Sequence, residues 1–301
     1  MSESGHDEVR FEELRSQGES AALAGRLAEA REVFEEGLAC ARRIGDPRLI
    51  DLAICNRAYV NVELSQSASD LPQLREILLR NGDPSACCLA ARHLSKAYEL
   101  QKNYKKSLFY ARLMRDRAQL VGRIDWLASS HNQLGNAFLG DSFVDNACLE
   151  YKRALDLLPV QPNLRRAIAL DNLGYCRILQ GRPAEAYALL FKSLRMLRHL
   201  RADFFSILPH LDLSFLHLEA GRYTYARKHS LTALRLAEAN DQTDAIKNAL
   251  YLLGEVAHLA GDADGANEFF HRLQHQFFPG ASYLPALLVA VDVRRLINLH
   301  A

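Results

Sequence analysis

A dipeptide of leucine and a small residue recurs along the second half of the chain at a nearly constant interval. Leu134-Gly135, Leu173-Gly174, Leu213-Ser214 and Leu253-Gly254 are separated by 39, 40 and 40 residues. Twelve residues after each small residue stands an alanine, namely Ala147, Ala186, Ala226 and Ala266. A fixed period of this length is typical of stacked helix pairs, in which each pair contacts only its neighbours. The spacing therefore predicts a helical repeat protein.

Small and large residues also keep fixed places within one repeat. If Gly135 is counted as position 8, Ala147 is at position 20, Tyr151 at 24 and Ala154 at 27. Small residues at positions 8, 20 and 27 let two helices approach closely, and a large residue at 24 fills the space between them. This pattern resembles the tetratricopeptide repeat, in which a tryptophan often stands at the place of His131.

The resemblance implies an all-α, right-handed α-solenoid of about seven tetratricopeptide-like helix pairs, covering residues 11–279. The polar residues 1–10 are expected to be a flexible N-terminus. Residues 280–301 are expected to form a C-terminal helix that either caps the last repeat or docks a partner. Self-association through the apolar part of this helix, residues 283–298, stays open as a route to a homo-oligomer.

The turns of the proposed repeats carry residues that end one helix and begin the next. Glycine takes left-handed torsion angles without a steric cost, so a glycine at position 15 is expected to end the first helix of a unit. Such glycines are Gly25, Gly181, Gly221 and Gly261. Between units, Asp46, Asp83, Asn163 and Asn240-Asp241 are expected to stop one helix and cap the next.

Charge and hydropathy exclude several classes of partner. The formal net charge is +1 with no basic block, so nucleic acid is not an expected ligand. No apolar run approaches the roughly 20 residues that span a bilayer, so no membrane contact is expected. The polar start of the chain lacks the apolar core of a signal peptide, and the six cysteines have no metal-ligand spacing. We therefore expect a soluble, cytoplasmic protein with buried thiols.

No group of residues in the sequence has the pattern of a catalytic or cofactor site. Glycine-rich phosphate loops and an HExxH motif are absent, and no serine, histidine and acid fall into a recognisable triad. The spacing His271-x3-His275 places two imidazoles on one helix face, but two ligands without a third rarely hold zinc. We expect a protein that is not an enzyme and binds no metal or cofactor.

The candidate binding residues follow from the resemblance, because the first helix of each tetratricopeptide unit lines a concave groove. At groove positions stand Asn56, Tyr59, Arg92, Lys96, Asn132, Asn136, Asn172, Tyr175 and Tyr251, with Asn248 and Glu255 near the last of them. An asparagine amide offers a donor and an acceptor to a peptide backbone. Tyrosines supply apolar contact, and Arg92 with Lys96 could hold an acidic group. Alternatively, the asparagines bond only to neighbouring helices and water.

Two functional hypotheses follow. The first is a non-enzymatic adaptor or scaffold that binds a partner peptide or helix in the groove and regulates that partner. The second is a regulatory sensor that binds a short peptide or a small effector and signals to a separate transcription factor or enzyme.

Overall fold

A computed structural model describes residues 3–64, 66–294 and 299 of the 301-residue chain. These residues form fifteen α-helices and two short 3₁₀ turns, and no strand occurs among them. The all-α prediction is confirmed. The chain divides into two compact units, Met1–Asn172 and Leu173–Ala301, and the helix α9 (Leu164–Leu179) runs through the boundary.

The first unit contains eight complete helices that follow one another as pairs. They are α1 Glu3–Leu23, α2 Leu27–Ile44, α3 Pro47–Glu63, α4 Asp70–Arg80, α5 Pro84–Leu100, α6 Tyr104–Val121, α7 Ile124–Gly140 and α8 Val144–Leu157. The second unit continues with α10 Pro183–His199, α11 Ile207–Glu219, α12 Tyr223–Ala239, α13 Thr243–Leu259, α14 Ala263–Phe277 and α15 Leu284–Ala290. Helices α1 to α14 thus make the seven pairs that the repeat period predicts.

Close contact between the two helices of a pair depends on a small residue and its partner sixteen residues later. A Cβ atom on Gly135 would overlap the ring of Tyr151, and one on Gly254 would overlap the ring of Phe270. Where the repeat carries Ser214 instead of glycine, its hydroxyl oxygen lies 2.5 Å from that of Ser230. In the two glycine pairs the small and large positions read from the sequence therefore meet, as predicted, whereas in the third pair the small Ser230 stands at the large position.

The turn chemistry also follows the sequence. The glycines that end first helices, Gly25, Gly181, Gly221 and Gly261, have φ angles of 79°, 69°, 68° and 80°. The Asp83 carboxylate accepts a hydrogen bond from the Ala86 N–H at 2.7 Å at the start of α5. The prediction for Asn240-Asp241 is half wrong: these residues end α12, but the cap residue of α13 is Gln242, which makes no side-chain cap bond.

The first helices of successive pairs lie side by side within each unit. In the first unit α3 packs on α5, and α5 packs on α7; in the second unit α11 packs on α13. Within each unit, we call the side chains that these helices and that unit's part of α9 present the first-helix face of the unit. It is the surface on which the sequence places the candidate binding residues.

Residues 1–10, which the sequence predicts to be a flexible N-terminus, belong to α1 from Glu3 onward. Arg10 pairs with Glu36 at 2.9 Å, and Asp7 pairs with Arg43 at 3.2 Å. Both partners lie on α2, but exposed ion pairs contribute little to stability. Phe11 of α1 is buried in a cluster with Leu38 of α2, and this packing stabilises a helix that local polarity does not predict.

The expected helix over residues 280–301 is shorter than predicted. Helix α15 ends at Ala290, and Val291 is extended, with φ −128° and ψ 124°. The Asp292 carboxylate accepts a hydrogen bond from the Arg294 N–H at 3.0 Å, a local turn that competes with the helix. The alternating valines at 289, 291 and 293 further lower helix propensity. Residues 295–298, 300 and 301 lie outside the described part of the chain, so the predicted helix cannot be traced there.

In the described segments, none of the helices has the length and apolarity that crossing a bilayer requires.

Candidate functional site

Three of the predicted asparagines form a hydrogen-bonded cluster on the first-helix face of the first unit. Asn132 and Asn136 lie one turn apart on α7, and Asn172 lies on α9. The Asn172 amide donates to Asn132 Oδ1 at 3.0 Å and to Asn136 Oδ1 at 3.3 Å. We call these three residues the asparagine cluster.

Glu99, at the end of α5, joins this cluster to the charged part of the face. Its carboxylate accepts from the Asn136 amide at 3.3 Å and from the Gln133 amide at 2.5 Å. Lys96 donates to the same carboxylate at 2.6 Å. Lys96, which with Arg92 is expected to hold an acidic group of a ligand, is thus already paired with an acid of its own helix.

Two amide groups of the asparagine cluster have no hydrogen-bond partner among the described residues. Asn136 is fully engaged, because its Oδ1 also accepts from the Tyr151 hydroxyl at 2.9 Å. Within the part of the chain that the structure describes, nothing bonds to Asn132 Nδ2 or to Asn172 Oδ1. An amide donor and an amide acceptor on adjacent helices can bracket one peptide group. The asparagines do bond to neighbouring helices, as the alternative interpretation predicts. One amide donor and one amide acceptor nevertheless remain unbonded among the described residues.

Arg92 supplies the positive charge that Lys96 does not. Its guanidinium lies 5.9 Å from the centroid of the Tyr59 ring, and no carboxylate pairs with it among the described residues. Burial raises the pKa of Tyr59 to about 12, so Tyr59 stays neutral and offers Arg92 a ring face. Asn56, one turn before Tyr59 on α3, is partly exposed.

A second arginine strengthens this charge. Burial, together with the nearby charges of Arg92 and Arg123, lowers the pKa of Arg165 despite the opposing effect of Asp125. Arg123 and Arg165 share the single carboxylate of Asp125, at 2.7 and 3.4 Å. Three guanidinium groups beside one carboxylate form a local excess of positive charge, which attracts an anionic group.

In the second unit, two predicted groove residues hold the backbone of the chain's own Leu299. The Leu299 N–H donates to the hydroxyl oxygen of Tyr175 at 3.0 Å. The Asn248 amide donates to the Leu299 carbonyl at 3.2 Å. Leu299 itself is 4% exposed. The first-helix face of this unit therefore contacts both polar groups of one residue of an added segment.

Two further side chains of α13 are buried but unsatisfied. The Tyr251 hydroxyl and Glu255 Oε1 have no hydrogen-bond partner among the described residues. With Asn248 they occupy positions i, i+3 and i+7 of one helix, which share a face. Burial raises the pKa of Glu255 to about 7, against the opposing effect of Arg294. Burial likewise raises the pKa of Tyr251, which stays protonated.

The two histidines of the His271-x3-His275 spacing lie close together and have no third metal-ligating side chain grouped with them among the described residues. The rings of His271 and His275 are 6.1 Å apart between centroids. Across the described residues, no three histidine, cysteine or acidic side chains group in a way that could hold a metal ion.

Three participants at these sites were not selected as binding residues from the sequence. They are Glu99, Arg165 and Leu299. Glu99 follows Lys96 by three residues, a spacing that predicts an ion pair on one helix face. Arg165 and Leu299 reach their sites only through the fold, and no local pattern marks them.

Comparison with solved structures identifies the fold. A Rap protein complexed with Competence and Sporulation Factor superimposes with a TM-score of 0.71 at 14% identity, over 97% of this chain and 79% of that chain. The apo form of the quorum sensor NprR from B. thuringiensis gives 0.64 at 14% identity, over 95% and 82%. Aspartyl phosphate phosphatase F from Bacillus subtilis gives 0.60 at 12% identity, over 100% and 96%.

A tetratricopeptide repeat protein from Parabacteroides merdae also superimposes, with a TM-score of 0.53 at 13% identity, over 93% of this chain and 98% of that chain. At such identities the similarity establishes the fold alone. No protein-family model matches the sequence, and no curated protein matches it significantly.

Proposed function

We propose that this chain, which has the tetratricopeptide-repeat fold, is a non-enzymatic regulatory protein that binds an extended peptide segment on its first-helix face. The observation that carries the proposal is the asparagine cluster, which offers an unbonded amide donor on Asn132 and an unbonded amide acceptor on Asn172. Such a pair matches the carbonyl and N–H of a peptide group whatever its side chain is.

The neighbouring charge adds specificity to this backbone contact. Arg92 has no acidic partner among the described residues, and Arg165 shares Asp125 with Arg123. A ligand with a carboxylate or phosphate near its bracketed peptide group would gain a charge-assisted hydrogen bond. We therefore infer that the preferred peptide is acidic at this end.

The structural neighbours support a regulatory role. One is described as a Rap protein complexed with Competence and Sporulation Factor, and another as a quorum sensor. We propose by analogy that binding on the first-helix face controls a separate protein. The adaptor and sensor hypotheses differ in the effect of the ligand, because only in a sensor does ligand binding change the conformation of the chain. Solution scattering with and without a selected peptide distinguishes the two forms.

A catalytic role is the competing proposal, because one neighbour is named an aspartyl phosphate phosphatase. Our proposal expects no turnover by the chain alone. Purified chain incubated with acetyl phosphate, an acyl phosphate like phosphoaspartate, should release phosphate no faster than buffer. A rate proportional to the concentration of chain would contradict the non-enzymatic part of the proposal.

The ligand charge can be tested with a pool of random nine-residue peptides. We expect peptides retained by the immobilised chain to be enriched in aspartate and glutamate. Arg92→Ala should weaken the best peptide by about tenfold, as expected for losing one charge-assisted contact. Trp126 is the single tryptophan, and the guanidinium of Arg123 lies 4.4 Å from its ring, so its emission reports binding nearby.

The control is Arg112→Ala, which removes an exposed arginine from α6. It should leave both the affinity and the composition of the retained peptides unchanged. A pool without acidic enrichment, or equal losses in the two arginine variants, would contradict the proposed charge recognition.

A further inference from the structure

Two described residues that follow α15, Arg294 and Leu299, contact helices of the second unit. Leu299 is buried, and both of its backbone polar groups are bonded by side chains of that face. Arg294 reaches the same unit, since its guanidinium pairs with Glu219 of α11 at 2.9 Å. The described tail residues, Asp292 to Arg294 and Leu299, thus make a cationic contact and an apolar, backbone-bonded contact.

Bonds to the backbone distinguish this contact from ordinary packing of a chain end. Tyr175 and Leu299 are 124 residues apart in sequence, so no local structure requires their hydrogen bond. Tyr175 receives the N–H, and Asn248 donates to the carbonyl, which is the mode of recognition that suits any residue in an extended peptide. Specificity then comes from the space that holds the leucine side chain.

This face is not fully used by the tail. The Tyr251 hydroxyl and Glu255 Oε1 are buried and have no partner among the described residues. Their side chains share a face of α13 with Asn248, which bonds the tail. Leaving a buried polar group unbonded weakens the bound state relative to one in which the group is satisfied. The described tail residues therefore leave two polar groups of this face unsatisfied.

We propose that the first-helix face of the second unit is a peptide site for a leucine-containing segment that carries a basic residue, and that Arg294 and Leu299 of the chain's own tail act there as an intramolecular competitor. A partner peptide of this chemistry that also bonds Tyr251 and Glu255 displaces the tail. The proposal rests on the proposed function only in taking a peptide as the displacing ligand; its site lies in the other unit.

The energetic consequence is a reduced apparent affinity. If a ligand binds only after the tail has dissociated, its apparent dissociation constant is the intrinsic constant divided by the fraction of chains whose site is open. Releasing the tail therefore tightens binding without any new contact. Because Leu299 provides the buried side chain, replacing it with an acid should release the tail and leave the helix pairs intact.

The test uses a fluorescein-labelled synthetic peptide with the sequence of residues 291–301 and the full chain, with binding measured by polarisation. The Leu299→Asp chain should bind this peptide at least tenfold more tightly than the unmodified chain. Adding Tyr175→Phe and Asn248→Ala to Leu299→Asp should abolish most of that gain, because the two backbone bonds are lost. Thermal unfolding by circular dichroism confirms that each variant is folded.

The matched control is Leu287→Asp, which places the same charge on an exposed leucine of α15. It should bind the labelled peptide as weakly as the unmodified chain. Equal affinities for Leu299→Asp and the unmodified chain would overturn the proposal, and so would the absence of binding to either. The double variant Asn132→Ala with Asn172→Ala should not alter binding of this peptide. The proposed peptide site of the first unit can therefore be refuted without refuting the site of the second unit.

Discussion

At the scale of single residues, the first-helix face combines satisfied and unsatisfied polar groups. The Asn136 side chain is hydrogen-bonded to Asn172, Tyr151 and Glu99. Asn132 and Asn172 each have one amide group without a partner among the described residues, and we propose that these two groups bind the peptide. A network in which one member is fully bonded fixes the positions of its neighbours, so the two remaining groups are presented with little freedom. This preorganisation reduces the entropy lost when a ligand binds.

Glu255 gives the second unit a pH dependence that can be measured. Burial raises the pKa of Glu255 to about 7 from the 4.5 of an exposed glutamate. Between these values the folded chain holds the proton more tightly than the unfolded chain. The free energy of unfolding should therefore fall as pH rises from about 4.5 to about 7, by no more than about 3 kcal/mol from this group.

Glu255→Gln removes the titrating proton and keeps a similar shape. Urea unfolding at pH 5 and pH 8 should show that the variant loses less stability than the unmodified chain over this interval. Burial lowers the pKa of His210 and His229 to about 4 and also lowers the pKa of His217, with the opposite effect on stability. These histidines are present in both proteins, so the comparison cancels them. The same pH dependence in both proteins would refute the assignment.

At the scale of elements, the helix pair is held by a small residue under a large ring. Gly135 on α7 lies beneath Tyr151 of α8, and the Tyr151 hydroxyl is bonded to Asn136. The ring therefore cannot move away without breaking a hydrogen bond of the asparagine cluster. This one contact couples the packing of a pair to the geometry of the candidate site.

Gly135→Ala should consequently destabilise the chain, although alanine favours a helix more than glycine does. The added Cβ would overlap the Tyr151 ring, and overpacking of this kind costs about 1–3 kcal/mol. The urea midpoint should fall, and peptide affinity in the first unit should fall with it. Gly82→Ala serves as control, because a Cβ there meets nothing within 4 Å and should change little. Equal midpoints for the two variants would refute the packing argument.

At the scale of the whole molecule, the sequence is most informative about what repeats. The period, the small residue at position 8 and the positive-φ glycines such as Gly181 recur, so each repeat confirms the others. Single events do not recur. The ion pair between Arg10 and Glu36 joins α1 to α2, and the bond between Leu299 and Tyr175 joins residues 124 positions apart.

In the candidate site, too, the repeat predicts some features and not others. Groove positions such as Asn132 and Asn172 follow from the repeat, and the structure brings them into hydrogen-bond contact. Whether their amides are used up or left for a ligand depends on neighbours from other helices, such as Glu99 on α5. Periodicity specifies which side chains share a face, but it does not specify which of their polar atoms are already bonded.

The most direct test of peptide binding at the asparagine cluster compares one dissociation constant, that of the best peptide from the random pool, among three proteins. The three proteins are the unmodified chain, the double variant Asn132→Ala with Asn172→Ala, and the variant Asn146→Ala. Asn146 is an exposed asparagine on α8 and serves as the control. We expect at least a tenfold loss for the double variant, because two backbone contacts are removed, and no change for Asn146→Ala. The same dissociation constant for all three proteins would contradict peptide binding at the asparagine cluster.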